Sequence, residues 1–294
     1  MKNNNVFVVA QKEAADHLQD AGFLVLLATY TVIVFASTYM LGSMMIGSMV
    51  YGENSVLLSS IHVRMISQFT PLVGIALGFD AVVREQKSGS LNVLLTHPIF
   101  RDNILAGKLI GSALLMAAII IFSVFVSVGT LLIFYGVEIG YTELIRIAVF
   151  TILTFFYAVT FLGIAILVST IVKNSTDSLI SNIIIWIFIC ILFGAILKTV
   201  VAILTGQTSN EGILITQLLN ISPIHHYGEA VIGRTDLSFM GVNVEPIIGG
   251  IFDTKYTLTQ CLTEFWMNIV VLITTPVVLF IIAFITFLRK DITL

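Results

Sequence analysis

Long apolar runs separated by short polar segments dominate this 294-residue chain. A helix that crosses a bilayer needs about 20 mostly apolar residues. Six stretches meet that length: 23–45, 62–83, 109–135, 144–172, 179–204 and 265–288. The second is the most polar, with Arg64 and Asp80 near its ends, yet its centre, PLVGIALGF, carries no charge. The pattern predicts an all-α membrane protein whose six-span domain covers 23–294. Residues 1–22 precede the first span. There Phe7, Ala10, Ala14 and Leu18 recur at helical spacing with charged residues elsewhere, which predicts a helix lying in the membrane interface. The charges of this segment, and the length of the apolar run after it, argue against a secretory leader. The longest polar-containing stretch, 205–264, reads as an outer loop. EGILITQLLNISPIHHYGEAVIG predicts short helices near the outer membrane surface, and NVEPIIGGIFDTKYT predicts turns or short extended pieces.

Composition turns that pattern into a constraint. Apolar residues make up 57% of the chain, charged residues only 11%, and the mean hydropathy is +1.04. A soluble domain carries about 25% charged residues, so this chain uses lipid as solvent for much of its surface. Basic residues set the orientation. One set of connecting segments holds nine: Lys2, Lys12, Arg84, Lys87, Arg101, Lys108, Lys173, Arg289 and Lys290. The opposite set holds five: Arg64, Arg146, Lys198, Arg234 and Lys255. The bias predicts both termini in the cytoplasm, and no nucleic-acid partner is expected. The two cysteines, Cys190 and Cys261, offer no disulfide framework and no paired metal motif.

The segment FDAVVREQKSGSLNVLLTHPIFRDNILAGKLIG, 79–111, gathers charge between two apolar runs. Asp80, Arg84 and Glu85 extend a helix out of the membrane, with Arg84 one turn beyond Asp80. Gly89 ends or bends that helix. SLNVLL is short and amphipathic, and Pro98 breaks the chain again by restricting His97. RDNILAGK then starts the helix that re-enters the membrane. This helix, break, short helix, break, helix order predicts a cytoplasmic knob suited to docking in a cleft on a soluble partner. Within the neighbouring spans, Gly74-Ile-Ala-Leu-Gly78 and Gly107-Lys-Leu-Ile-Gly111 carry the small-residue spacing that lets helices approach closely.

The order of residues in this segment resembles the first cytoplasmic loop of permease subunits of type-2 ABC transporters. The matching residues are Phe79-Asp80, Arg84-Glu85, Gly89-Ser90-Leu91, Leu94-Leu95, Pro98 with Arg101, and Gly107-Lys108; Ser90 stands where the family usually has Thr. The N-terminal QKEAADHL resembles the family's elbow helix, and VKNSTDS between spans four and five also fits. The layout is most similar to the drug, sodium and copper-maturation types. The resemblance implies a coupling helix between spans two and three, docked on a separate ATPase through Asp80, Arg84, Glu85, Gly89, Leu91, Leu94, Pro98 and Arg101. Lys173, Asn174 and Asp177 would supply a secondary contact. It implies two ATPase copies, ATP and Mg on those subunits alone, and a second, most simply identical, permease copy. The chain has no phosphate loop of its own, since Leu109 follows Gly107-Lys108 and Asp102 occupies the earlier glycine position.

Other chemistry finds less support. His225 and Glu229 share a helix face and His226 is adjacent, but two ligands fall short of a zinc site; with His62 and Glu53 also outside, a composite site is conceivable. The competing reading is an ordinary surface helix end after Ser222-Pro223. No protease or hydrolase motif occurs, so no enzyme is expected. Tyr30, Thr31, Ser37, Thr38 and Tyr39 in span one, with Asn182 in span five, could line a path for amphipathic molecules, or simply pack. Span centres almost free of charge argue against an ion conductor acting alone. The alternative to a transport subunit is a membrane scaffold whose 79–108 loop recruits another soluble protein. The transported molecule is not legible in the sequence.

Overall fold

A computed structural model describes residues 2–48, 60–84, 101–136, 138–205, 211–233, 237 and 248–289. Among these residues the chain is helical, without strands, as expected of a backbone that must satisfy its own hydrogen bonds in lipid. The helices are α1 (Lys2–Gln19), α2 (Ala21–Ser48), α3 (Ser60–Gly78), α4 (Arg101–Tyr135), α5 (Tyr141–Ile171), α6 (Ser175–Ile187) and α7 (Phe193–Thr205). They continue with α8 (Glu211–Leu219), α9 (Pro223–Ile232), α10 (Leu258–Glu264) and α11 (Trp266–Arg289). A π turn, Phe188–Leu192, joins α6 to α7, and a 3-10 turn, Gly250–Phe252, precedes α10.

Five of these segments are long and apolar enough to cross a membrane: 21–40 in α2, 103–135 in α4, α5, the α6–π–α7 rod, and α11. The expected second span falls on α3, which is not among the five. Its polar residues have partners inside the bundle. Tyr157 Oη donates to Ser67 O at 2.7 Å, and Gln68 Nε2 donates to Cys190 O at 3.1 Å and Leu237 O at 2.9 Å. Thr70 Oγ1 lies 2.9 Å from Tyr30 Oη. His62, fully buried, has Nδ1 3.0 Å from Ser37 Oγ and Nε2 3.2 Å from Ser127 Oγ. His62 is therefore a bridge between α2, α3 and α4 rather than a member of an outer metal cluster, and Ser37 and Thr38 serve the same contact; Glu53 lies outside the described residues.

α5 is the centre of the bundle: 61% of its apolar window is buried, against 17% for α11. It packs on α3, α4, α6, α9 and α11. The Gly74–Gly78 pair explains the closest of these approaches. A Cβ on Gly74 would meet Ala158 O at 2.8 Å, and one on Gly78 would meet Ala165 Cβ at 2.8 Å. The pair thus seats α3 on α5 within one chain. Tyr157 stacks on Tyr227 with ring centroids 4.5 Å apart, tying α5 to α9.

The loop region departs from expectation in one respect. α8 and α9 are the short helices predicted, but α9 does not lie on the surface. Ile224, His225, Tyr227, Ala230 and Val231 are buried against α3, α5 and α11, because four of them are apolar or aromatic and His225 finds a partner in Asn220. Pro223 occupies the first helical turn, as expected, and Gly233 closes α9 at φ +63°. The 3-10 turn is held by Arg146 of α5, which donates to Ile251 O, to Asp253 O at 3.0 Å and to Tyr256 O at 2.6 Å.

Adding a methyl at Gly74 forces it onto a backbone carbonyl that cannot swing aside. Gly74→Ala is expected to destabilise the protein by about 1–3 kcal/mol, in the range of overpacked cores. Gly129→Ala, where nothing lies within 4 Å of an added Cβ, should leave stability unchanged or raise it by up to about 1 kcal/mol. Thermal unfolding of both variants in detergent, followed by tryptophan fluorescence, distinguishes them; equal melting temperatures would refute the tight α3–α5 seat.

Candidate functional site

The sequence placed its candidate docking residues at the end of α3, and the structure shows how that end is built. α3 stops at Gly78, and the chain turns through 79–82 before Val83 and Arg84 resume a helical turn. The amides released by this break find a side chain: Val82 N and Val83 N both donate to Ser169 Oγ of α5, at 3.0 and 3.2 Å. Phe79 O accepts from Ser178 Oγ of α6 at 2.5 Å. Ala81, Val82 and Val83 are buried, whereas the Arg84 side chain is 69% exposed. Arg84 Nη1 lies 3.9 Å from Asp80 Oδ2, the one-turn contact expected from the spacing. At this exposure it is worth only a few tenths of a kcal/mol. Burial pushes the Asp80 carboxyl above its ordinary value, and the Arg84 cation offsets part of that rise.

Ser178 brings in the second predicted contact. It lies one turn into α6, directly after the α5–α6 connection that holds Lys173 and Asn174. Lys173, Asn174 and Asp177 are exposed, and Asn174 Nδ2 donates to Asp177 Oδ2 at 3.0 Å. The bond from Ser178 to Phe79 therefore gathers 79–84 and 173–177 at one end of the bundle. Glu85, Gly89, Leu91, Leu94 and Pro98 lie outside the described residues. Arg101 is the first residue of α4.

α1 joins this end through α4. The predicted Gly107–Gly111 spacing makes room for α1 rather than for a second chain: a Cβ on Gly107 would meet Val9 Cβ at 2.6 Å, and one on Gly111 would meet Ala10 O at 2.5 Å. Between these glycines Lys108 Nζ donates to Glu13 Oε2 at 2.6 Å, with both side chains about nine-tenths buried. His17 Nε2 lies 3.6 Å from Glu13 Oε1. Burial pushes the Glu13 carboxyl up, but His17 and Lys108 outweigh it and hold the group below its ordinary value of 4.5. The face of α1 that packs is accordingly Ala10, Glu13 and His17, while Phe7 and Leu18 are 66% and 50% exposed. The 3–4 spacing of Phe7, Ala10, Ala14 and Leu18 therefore does not mark one side: Phe7 and Leu18 face outward, Ala14 is half-buried, and Ala10 is buried against α4.

Ser169, Ser178, Glu13 and His17 are site residues that the sequence reading did not single out. A serine at the end of an apolar run is too common to mark a cap. Glu13 and His17, one turn apart, gave the clearest available signal, because a charged pair on a helix that also has an apolar side needs a partner elsewhere.

The model of the ABC-2 family of transporter proteins matches residues 7–292. The chain belongs to this family. A probable ABC transporter permease protein NosY from Stutzerimonas stutzeri is 26% identical over 225 residues, covering 76% of this chain and 80% of that protein. A second protein of that name, from Pseudomonas aeruginosa, is 30% identical over 113 residues, 38% of this chain and 40% of that protein. Membership of the ABC-2 family makes this chain a multi-pass transporter permease subunit.

Removing one member of a buried ion pair leaves the other charge unpaired, at a cost of about 3–5 kcal/mol. Lys108→Met should therefore destabilise more than the double variant Glu13→Leu/Lys108→Met, whose buried charges are both gone. Denaturation midpoints for the two single variants and the double variant test this, and additive losses would show that the pair is not coupled. The sign of the pH effect follows from the lowered Glu13 carboxyl. Its contribution is complete above the ordinary value of 4.5 and is lost as pH falls through the lower folded value. Wild-type stability should fall on acidification below about 4.5, and this component of the fall should be absent in Glu13→Gln.

Proposed function

We propose that the chain is one permease half of an ATP-driven exporter in a prokaryotic cell membrane. In this reading it pairs with a second copy of itself, and two separate ATPase subunits dock on the cytoplasmic faces and carry the ATP and Mg. The observation that supports it most is the joining of 79–84 to the 173–178 turn by Ser169 and Ser178. A docked subunit that pushes on this end moves the ends of α3, α5 and α6 together, where an unsupported loop would absorb the motion. The Glu13–Lys108 pair adds α1 and α4 to the same body. Through these attachments a displacement at the docking end becomes a tilt of whole helices and changes access to a path between two permease copies.

In this reading both termini are cytoplasmic, α1 is the interfacial elbow, the coupling element lies between α3 and α4, and α3 is the sixth crossing. The shelter of Ser67, Gln68, Thr70 and His62 by neighbouring helices supports the last point, since a span whose polar atoms are satisfied by protein need not be as apolar as one facing lipid. Export follows the resemblance to the drug and sodium types. A scaffold that recruits a different soluble protein through the same end is the second reading, and the exposed Arg84 and Lys173 would serve it equally.

The two readings differ in what accompanies the protein. Affinity purification of the tagged chain from mild-detergent membranes of its source cells, with mass spectrometry, should recover an ABC-type ATPase. A variant carrying Glu85→Arg and Gly89→Pro should recover at least about tenfold less, the loss expected when close charge pairs at an interface are reversed. A soluble partner without a phosphate loop, reduced by the same substitutions, would establish the scaffold reading instead.

A further inference from the structure

A second group of titratable side chains lies on α9, away from the docking end, and its hydrogen bonds do not balance with ordinary protonation states. His226 is 4% exposed. Its Nδ1 lies 2.6 Å from Asn268 Oδ1 of α11, and its Nε2 lies 2.8 Å from Asn220 O. Both ring nitrogens thus face oxygens that only accept. A neutral imidazole has one N–H, so one nitrogen would point its lone pair at an oxygen. Turning the Asn268 amide does not remove the difficulty, because its Nδ2 donates to Glu229 Oε2 at 2.7 Å. A turned amide would present its oxygen to the carboxylate. Two arrangements satisfy every contact: an imidazolium with Glu229 ionised, or a turned amide with a neutral imidazole and Glu229 protonated. Both hold one proton more than a neutral histidine beside a carboxylate.

We propose that His226, Asn268 and Glu229 form a proton-binding site that joins α9 to α11, with a single proton shared across the amide as its ligand. The remaining groups around α9 do not supply the missing charge. On its own helix, His225 Nε2 lies 2.9 Å from Asn220 Oδ1 and 3.7 Å from Glu229 Oε2, and Tyr227 Oη is paired with Thr154 Oγ1 at 2.9 Å. α11 has no titratable residue before Arg289 at its opposite end. From α5, Arg146 is committed to the carbonyls of 251, 253 and 256, and Tyr157 meets α9 by ring stacking. From α3, His62 is committed to Ser37 and Ser127, and Arg64 lies one turn after the helix start at Ser60. The 3-10 turn contributes only Gly250, Ile251 and Phe252, and the carboxyl of Asp253 accepts from the amides of Gly249 and Lys255. When the proton leaves, two lone pairs oppose each other in a buried contact, which costs free energy unless α9 moves away from α11. Ile248 O lies 2.2 Å from where a Cβ on Gly233 would be, so movement of α9 is passed directly to the 3-10 segment of the outer loop.

The site is tested by counting its protons. Histidine-selective 15N NMR of the full chain in lipid nanodiscs near neutral pH, with His226→Gln to assign the signal, reads the ring. Infrared difference spectra between wild type and Glu229→Gln read the carboxyl. One proton, on either group, is expected; a neutral His226 beside an ionised Glu229, or both groups protonated, would overturn the proposal. In the Glu229→Gln variant the Asn268 amide is free to turn, so an imidazolium in wild type should become neutral; its persistence would also count against the site. A readout on the unaltered chain guards against misfolded variants. Hydrogen exchange over 223–232, corrected for the intrinsic pH dependence of exchange, should rise by roughly tenfold or more as the proton is titrated away. Unchanged protection would sink the link between the proton and the seating of α9.

Discussion

A polar atom that leaves water for the interior of this bundle must find a protein partner there, because lipid offers none. The arrangement of α3 follows from that requirement. It carries His62, Gln68 and Thr70 through the bundle, and each is met by a group from another helix. Gln68 reaches Cys190 O within the π turn, where the wider helical register changes how carbonyls are used. α3 can therefore be more polar than its neighbours only because α2, α4, α5 and the π turn surround it. Its glycines, in turn, permit α5 to come close enough for Tyr157 to reach Ser67 O.

The same requirement shapes the end of the bundle that gathers 79–84 and 173–177. Where α3 breaks at Gly78, two amides lose helical partners, and one serine hydroxyl of α5 accepts both. Where α1 lies on α4, a carboxylate and an ammonium are buried together rather than separately. A buried pair of this kind is weak evidence for stability in itself, since desolvation consumes much of the attraction. Its effect is positional. Glu13 and Lys108 fix one registry of α1 along α4, and Gly107 and Gly111 allow the helix backbones to approach in that registry.

Much of this was legible in the sequence, for physical reasons that also mark its limits. Length and apolarity identify α2, α4, α5, the α6–π–α7 rod and α11, because lipid imposes both. The small-residue pairs correctly announce close helix contacts, but spacing alone does not say with which helix; both pairs are satisfied within the chain. Phe7, Ala10, Ala14 and Leu18 share one spacing in α1, but they do not share one environment: Phe7 and Leu18 are exposed, whereas Ala10 packs on α4 beside Glu13 and His17, because Gly107 and Gly111 leave room for it there. α9 was misplaced on the surface for a related reason. Two adjacent histidines read as polar, and only the positions of Asn220 and Asn268, far apart in sequence, show that they are satisfied in the interior. Ser169 and Ser178 left no mark that distinguishes them from other hydroxyls on transmembrane helices.

The distance in sequence between Glu13 and Lys108 also bears on how the protein is made. Their contact spans 95 residues, and during synthesis α1 is complete long before its seat on α4 exists. Glu13 cannot be desolvated alone without a large cost, so α1 must stay hydrated until α4 is in place. Docking of α1 is then a late step that occurs only once α4 has threaded with Lys108 at the correct depth, and the ion pair becomes a check on completed insertion.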